Sequence, residues 1–300
     1  MKIQPIQFFN RYSKAVEVED VYGLDWVAWT YHHPLGRLML HAMAKRVLFS
    51  QWYGWRMNRE ASRAKIEPFI QRYGIDRAEM ADPVESMRNF NDFFARRLKP
   101  AARPIASGDN MAVFPADGRH LGFQVTDEAK GFFVKGQRLD IDELLQNQQL
   151  ADRYRKGALV LSRLCPVDYH RFHFPVGGVP GPSRLLPGPL FSVNPIALRR
   201  NINYLATNKR MLCEIESERF GKVLMMEIGA TCVGTIQQTY QPGRQMAKGS
   251  EKGYFLFGGS STLTLFEPGA IKLAEDLTRE SAQQRELYAK VGDAMGTASR

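Results

Sequence analysis

The stretch Gly253-Tyr254-Phe255-Leu256-Phe257-Gly258-Gly259-Ser260-Ser261-Thr262-Leu263 decides how this 300-residue chain is read. Two apolar runs of strand character flank a pair of glycines and three hydroxyl side chains. Paired glycines let a backbone bend sharply where side chains would crowd. A hairpin turn with capping hydroxyls is one reading. A strained bend that exposes a nucleophile is the other. The stretch is not a G-x-S-x-G elbow, because Thr262 stands where the last glycine belongs.

The same punctuation extends outward from this stretch. From Arg103 onward, short apolar runs at 112–114, 131–134, 158–161, 190–193, 211–215, 223–228, 232–236, 254–257 and 263–266 alternate with Gly and Pro. Such spacing predicts a mostly antiparallel sheet structure, with helices at 140–145 and 274–287. Residues 34–95 read as helical instead, with Pro68 in a first turn and Gly74 as a stop. Residues 1–33, polar and aromatic without a period, read as a wrapping arm. No repeat or linker separates the halves, so the expected fold class is α+β in one compact unit: a helical region over 1–100 and a β-rich region over 101–300.

Net charge is +10, which favours an anionic partner. Between Pro34 and Ile66 there are seven Lys/Arg and one acid, Glu60, interleaved with Leu35, Leu38, Met39, Leu48, Trp52 and Trp55. Apolar positions at three- and four-residue steps opposite basic ones suit a helix lying in a lipid headgroup layer. A core helix with a solvated basic face has the same pattern. No run reaches the roughly 20 apolar residues that span a bilayer, and no apolar secretory signal opens the chain. The three cysteines, Cys165, Cys213 and Cys232, are scattered and read as reduced thiols. Nothing accompanies the charge that reads a nucleic acid, so no nucleic-acid partner is expected.

Two more places carry chemistry. Asp117 sits in Phe114-Pro115-Ala116-Asp117-Gly118, which reads equally as a plain turn. His170 and His173 lie three residues apart in Asp168-Tyr169-His170-Arg171-Phe172-His173. Extended backbone points them to opposite faces, and a helical turn puts them on one. With a single nearby thiol and no second ligand pair, zinc is poorly supported and no metal is expected. Asp, His and Ser together are a candidate set for proton transfer to and from a serine, and residue types alone go no further.

Taken together, Phe90-Asn91-Asp92-Phe93-Phe94, Arg97-Leu98-Lys99, Arg103-Pro104-Ile105, Pro115-Ala116-Asp117-Gly118, Asp168 through His173, and Pro187-Gly188-Pro189-Leu190-Phe191-Ser192-Val193-Asn194-Pro195 resemble the phosphatidylserine decarboxylase family. Asn208-Lys209-Arg210, Gly229-Ala230-Thr231-Cys232-Val233-Gly234, Lys248-Gly249 and Phe257-Gly258-Gly259-Ser260 continue the likeness in the family's order. Ser261 departs from it, standing where the family's threonine usually follows the serine.

The resemblance implies a chain that cuts itself between Gly259 and Ser260, with Asp117, His173 and Ser260 as the charge-relay set and Ser261 as a lesser candidate. It implies a pyruvoyl cofactor made from Ser260, an α and a β chain from one precursor, and decarboxylation of phosphatidylserine through a Schiff base. His170 is the candidate proton donor or phosphate contact, and Ser192 and Asn194 are candidate pocket residues. The family's β core resembles a lipoyl-type fold, which implies a closing strand near 287–290 where composition suggests continuing helix. The family's N-terminal region favours the interfacial reading of 34–57, hence an anionic membrane surface as partner and a peripheral place on the cytoplasmic face of a bacterial membrane. A homodimer is compatible with all of this. Two rival readings use the same residues: a pyruvoyl decarboxylase of a soluble amino acid, and an uncut Ser/His/Asp hydrolase.

Overall fold

The structure, a computed structural model, describes residues 5–126, 139–231, 235–258 and 260–299. Gly259, the run 131–134 and most of the run 232–236 lie outside the described residues. The strands are β1 (Gln7–Asn10), β2 (Ala15–Val18), β3 (Met111–Val113), β4 (Gly118–Phe123), β5 (Leu159–Leu164), β6 (Arg171–His173), β7 (Val179–Pro180) and β8 (Arg184–Leu186). They continue as β9 (Arg210–Ser217), β10 (Gly221–Ile228), β11 (Ile236–Gln238), β12 (Glu251–Phe255), β13 (Ser260–Phe266), β14 (Ile271–Leu273), β15 (Glu286–Ala289) and β16 (Ala294–Ala298).

Ten strands form one sheet in the order β2-β1-β15-β4-β5-β13-β10-β9-β7, with β8 also on β9. All its pairings are antiparallel except β1 with β15, which is parallel. Two three-stranded sheets, β11-β12-β6 and β14-β16-β3, complete the β structure of the described residues. The class is α+β, as the alternation of short apolar runs implies.

β13 is the pivot. All seven of its residues are buried, because it lies inside the sheet with both edges paired and core on both faces. On one face the chain packs Phe172, Phe174, Phe255 and Phe266. On the other, Leu263 and Leu265 meet Leu161, Leu212 and Met226. The strand expected from the resemblance near 287–290 is present as β15, after a helix at Glu275–Ala282 that ends sooner than 274–287 predicts.

The N-terminal arm does more than wrap. β1 and β2 extend the large sheet, and Arg11 clamps Asp276 with Nε and Nη2 at 2.7 Å. Helices follow at Leu24–His32, Pro34–Met39, Val47–Met57 and Ile66–Tyr73. Gly74 ends the last of these in the left-handed region at φ +61°, and Pro68 sits in its first turn.

The span 34–57 is not one continuous helix. A single π turn at Leu40–Ala44 and an extended Arg46 break it. The run 190–193 is not a strand either. Its backbone is satisfied by neighbours outside any ladder: Leu190 N–H donates to Lys45 O at 3.0 Å and Phe191 N–H to Asn208 Oδ1 at 2.9 Å. An apolar run with its amides occupied in this way is buried without pairing.

Candidate active site

Ser260 opens β13 directly across from Leu164 on β5. β4 runs along the other edge of β5, and its first residue, Gly118, lies so close that an added Cβ would stand 2.4 Å from Arg163 O. Only glycine allows that approach. Asp117 and Ser260 are therefore brought to one end of three adjacent strands.

Asp117 is buried and fully engaged. Arg103 Nε donates to both its oxygens at 2.9 Å and Nη2 to Oδ2 at 2.6 Å, while Val291 N–H donates to Oδ1 at 2.9 Å. Arg103 is a site residue that the motif reading passed over. It stands inside Arg103-Pro104-Ile105, where nothing marks it as a carboxylate partner before folding.

The two histidines part as extended backbone demands. His170 Nδ1 lies 3.3 Å from Ser260 Oγ, and its Nε2 lies 2.9 Å from Cys165 O. A carbonyl only accepts, so Nε2 carries the proton and Nδ1 presents a lone pair to the serine hydroxyl. Phe94 stacks on the ring at 3.9 Å. Burial pushes the imidazole pKa down to about 3, with the charge of Arg96 acting the same way. His170 is thus held neutral, with its Nδ1 lone pair toward the serine.

His173 lies at the end of β6, opposite Glu251. Its Nδ1 donates to Gly249 O at 2.9 Å, and its Nε2 is out of solvent with no partner among the described residues. Its own N–H donates to Pro115 O at 2.7 Å, which ties it to the segment carrying Asp117. Burial lowers its pKa, and Gly249 O, Glu251 and Asp117 act the other way. Ser260 therefore has His170 in direct contact, whereas His173 bonds to Gly249 and Asp117 to Arg103 and Val291. No hydrogen bond among the described residues joins the His173 and Asp117 side chains to each other or to Ser260.

Ser261 points to the opposite face. It pairs with Arg163, and its hydroxyl has no partner among the described residues. Of the two serines only Ser260 has an imidazole at its oxygen.

Ser192 and Asn194 line a cavity of about 340 Å³ with Leu164, Phe257, Gly258 and Tyr31. Asn194 is partly committed elsewhere, since its Oδ1 caps the helix Pro195–Leu198 by accepting from Ile196 N–H at 2.9 Å. Asn91, within the Phe90–Phe94 helix, accepts from Phe257 N–H at 3.0 Å and so pins the turn before Ser260.

His120 repeats the environment of His170 away from the serine. It is fully buried, with Nε2 donating to Ala289 O at 3.2 Å and Nδ1 accepting from Ser162. Burial again brings its pKa to about 3. Both rings titrate near 6.5 when unfolded, so the folded-state pKa is depressed. Their contribution to stability is complete above about pH 6.5 and is lost as pH falls, because the unfolded chain takes up protons that the folded chain refuses. Unfolding free energy is expected to fall by roughly 1.4 kcal/mol per pH unit for each ring between about pH 6 and 4. Urea titrations at stepped pH measure this, and His120→Gln should remove one proton from the slope. An unchanged slope in that variant would refute the assignment.

A family model described as phosphatidylserine decarboxylase matches residues 90–297. The chain is 43% identical over 296 residues to a protein of Chlamydia muridarum named phosphatidylserine decarboxylase proenzyme, covering 99% of this chain and 98% of that one. Proteins of the same name from Clostridium perfringens and Fusobacterium nucleatum are 40% and 38% identical, each matched over 97% or more of both chains.

Proposed function

Because this chain belongs to the phosphatidylserine decarboxylase family, a family of carboxy-lyases, we propose that it cuts itself at Ser260 and then converts phosphatidylserine to phosphatidylethanolamine and CO2 at a membrane surface. The observation that carries this reading is the buried contact of Ser260 Oγ with a neutral imidazole at 3.3 Å. An imidazole in that place is positioned to exchange a proton with whatever group stands at position 260.

In the cleavage, Ser260 Oγ attacks the carbonyl of residue 259 while its proton passes to an imidazole, and the peptide C–N bond breaks as that proton goes to the freed amine. Elimination from the resulting ester, followed by hydrolysis, releases 1–259 as a carboxylate and ammonia, leaving a ketone at residue 260. Asp117 and His173 complete this set. The Nδ1–H bond to Gly249 O fixes the His173 tautomer with its lone pair on Nε2, and the fixed Asp117 carboxylate favours the protonated ring. The residues present fit a pyruvoyl group at position 260: the serine Cα would become its keto carbon and the Cβ its methyl, and His170 already faces this residue, 3.3 Å from the Oγ that would be lost. When formed, such a group supplies an electrophilic carbonyl for the substrate amine and an electron sink for the departing CO2. His170 Nδ1, once it has taken up a proton, stands where it can return it next to residue 260.

His173→Ala should leave the chain uncut. His170→Ala should be cut but release CO2 on the order of 10²-fold more slowly. Intact mass and CO2 release from phosphatidylserine vesicles read the two steps separately. The opposite pattern would move the cleavage base to His170.

The cavity beside Gly258 takes the serine end of the lipid headgroup. Its volume lies near the low end of small-ligand pockets, roughly 300–1,000 Å³, so the acyl chains remain outside. Around it, Leu35, Leu38, Leu48, Trp52 and Trp55 are exposed, and Arg56 and Arg59 stack over Trp52 and Trp55. Apolar side chains mixed with cations suit the surface of an anionic leaflet. No helix among the described residues is long and apolar enough to cross a membrane, which fits peripheral attachment on the cytoplasmic face. Residues 1–100 are the membrane-associating region in this reading, and 101–300 the catalytic unit with its lipoyl-type β core. Replacing Leu38, Leu48 and Trp55 together by glutamate should abolish co-sedimentation with anionic vesicles while self-cleavage proceeds. Undiminished co-sedimentation would place the surface elsewhere.

A further inference from the structure

Arg96 follows the Phe90–Phe94 helix and is only 6% exposed. Its Nε and Nη1 are out of solvent with no hydrogen-bond partner among the described residues. Nη2 reaches only Val167 O at 3.5 Å and Asp168 O at 3.4 Å, long against the usual ~2.9 Å. The guanidinium lies over Phe93 at 5.0 Å, which offsets part of the lost hydration.

The acids that act on it are already engaged: Asp117 by Arg103 and Asp168 by Arg119, both at 2.6 Å. Burial lowers the Arg96 pKa to about 10, so the group stays charged near neutrality. A buried cation left unpaired is strongly unfavourable. It is an expensive group to keep unless something binds it.

Arg96 lines a cavity of about 310 Å³ together with Asn58, Asn91, Arg97, Arg171 and Tyr254. This cavity shares no lining residue with the one beside Gly258. The other two arginines are bound, Arg97 to Asp82 at 2.8 Å and Arg171 to Glu251 at 2.8 Å. Of the three, Arg96 is the one whose unpaired donors are out of solvent.

We infer that this cavity is an anion site in which Arg96 Nε–H and Nη1–H hold a phosphate group. Guanidinium donors suit phosphate oxygens, and such charge-assisted bonds are strong where water is scarce. A carboxylate is a poorer occupant, because one bound to a cation would be held back from leaving as CO2. The phosphate has two possible sources, free inorganic phosphate or the phosphodiester of a lipid headgroup. The second rests on the function proposed above.

The test uses the purified full chain with inorganic phosphate, against sodium chloride at matched ionic strength. Phosphate should raise the thermal midpoint of the wild type beyond the chloride control. Arg96→Met should weaken that response by at least about tenfold, Arg96→Lys should keep part of it, and Arg97→Met should keep all of it. Since Arg96→Met removes an unpaired charge, it should melt no lower than wild type without phosphate. Should that variant fail to fold, Arg96→Lys still reads the site.

The source is then read on phosphatidylserine vesicles. A rise in KM with added phosphate at constant kcat assigns the site to the headgroup, whereas unchanged turnover with a persisting melting shift assigns it to the free anion. No phosphate-specific shift in the wild type, or an equal shift in both Arg96 variants, overturns the inference. Failure to self-cleave or to release CO2 would refute the proposed function and leave the melting result standing.

Discussion

Ser260→Ala is expected to give a single uncut chain that releases no CO2 above background from phosphatidylserine vesicles. The wild type should resolve by mass under denaturing conditions into 1–259 and 260–300. Loss of one hydroxyl removes the nucleophile and the source of the cofactor at once, so the effect is total rather than graded. Alanine changes little else, because among the described residues Ser260 Oγ meets only His170, and the backbone ladder to Leu164 is untouched. Thr262 and Ser261 retain their hydroxyls in that variant, so cleavage persisting there would shift the nucleophile to one of them.

The fold adds a second expectation to the same experiment. The piece 260–300 carries β13, with both edges paired in the large sheet, β15 between β1 and β4, and β14 and β16 in a smaller sheet. The two pieces therefore interlock through ladders on both sides. The cut wild type should elute as one species in native buffer and separate only in denaturant. A small piece that dissociates without denaturant would show that the ladders do not hold it.

Much of this architecture is readable before folding, because buried strands are short apolar runs and their turns need Gly and Pro. The runs 211–215, 223–228 and 263–266 work this way, each alternating between two buried faces. The run 190–193 misleads because burial alone does not make a strand: its amides are taken by Lys45 O and Asn208 Oδ1, neighbours from far along the chain. β1 and β2 escape a pattern reading for the opposite reason. They lie at one edge of the sheet, and of their residues only Phe8 is buried. Likewise the pair His170 and His173 is visible as a motif, and extended backbone already separates their faces. Which face meets Ser260 depends on the phase of β6 against β12, where a register shift between Glu251 and Gly253 resets the pairing. The partners of Asp117 and Arg163 come from distant segments and leave no local mark.

Arg163 shows what that hidden part contributes. On β5 beside Leu164, it is 2% exposed and holds Glu19 and Glu286 together, with Nη2 at 2.6 Å from each. Burial pushes the Glu19 pKa up, but the Arg163 charge and hydrogen bonds outweigh this and leave it at about 2. Arg163→Met keeps the length and removes the charge, leaving Glu286 without its ion pair and Glu19 with only the longer one to Arg119 at 3.5 Å. Measured in the Ser260→Ala background, where the chain stays whole, this should cost about 3–5 kcal/mol at neutral pH.

The pH dependence gives the sign. With Arg163 present, the depressed pKa of Glu19 contributes stability above about pH 4.5 that is lost as pH falls toward 2. Without it, burial raises the carboxyl pKa, and the folded chain must hold a proton that the unfolded chain releases. The variant should therefore fall furthest behind at neutral pH and close part of the gap by about pH 4. Adding Glu19→Gln and Glu286→Gln to Arg163→Met should recover much of the loss, since replacing the whole buried network is commonly cheaper than breaking it. A small cost that does not vary with pH would show that Arg163 is replaceable packing. In that case the strand that positions Ser260 would owe its place to the apolar core alone.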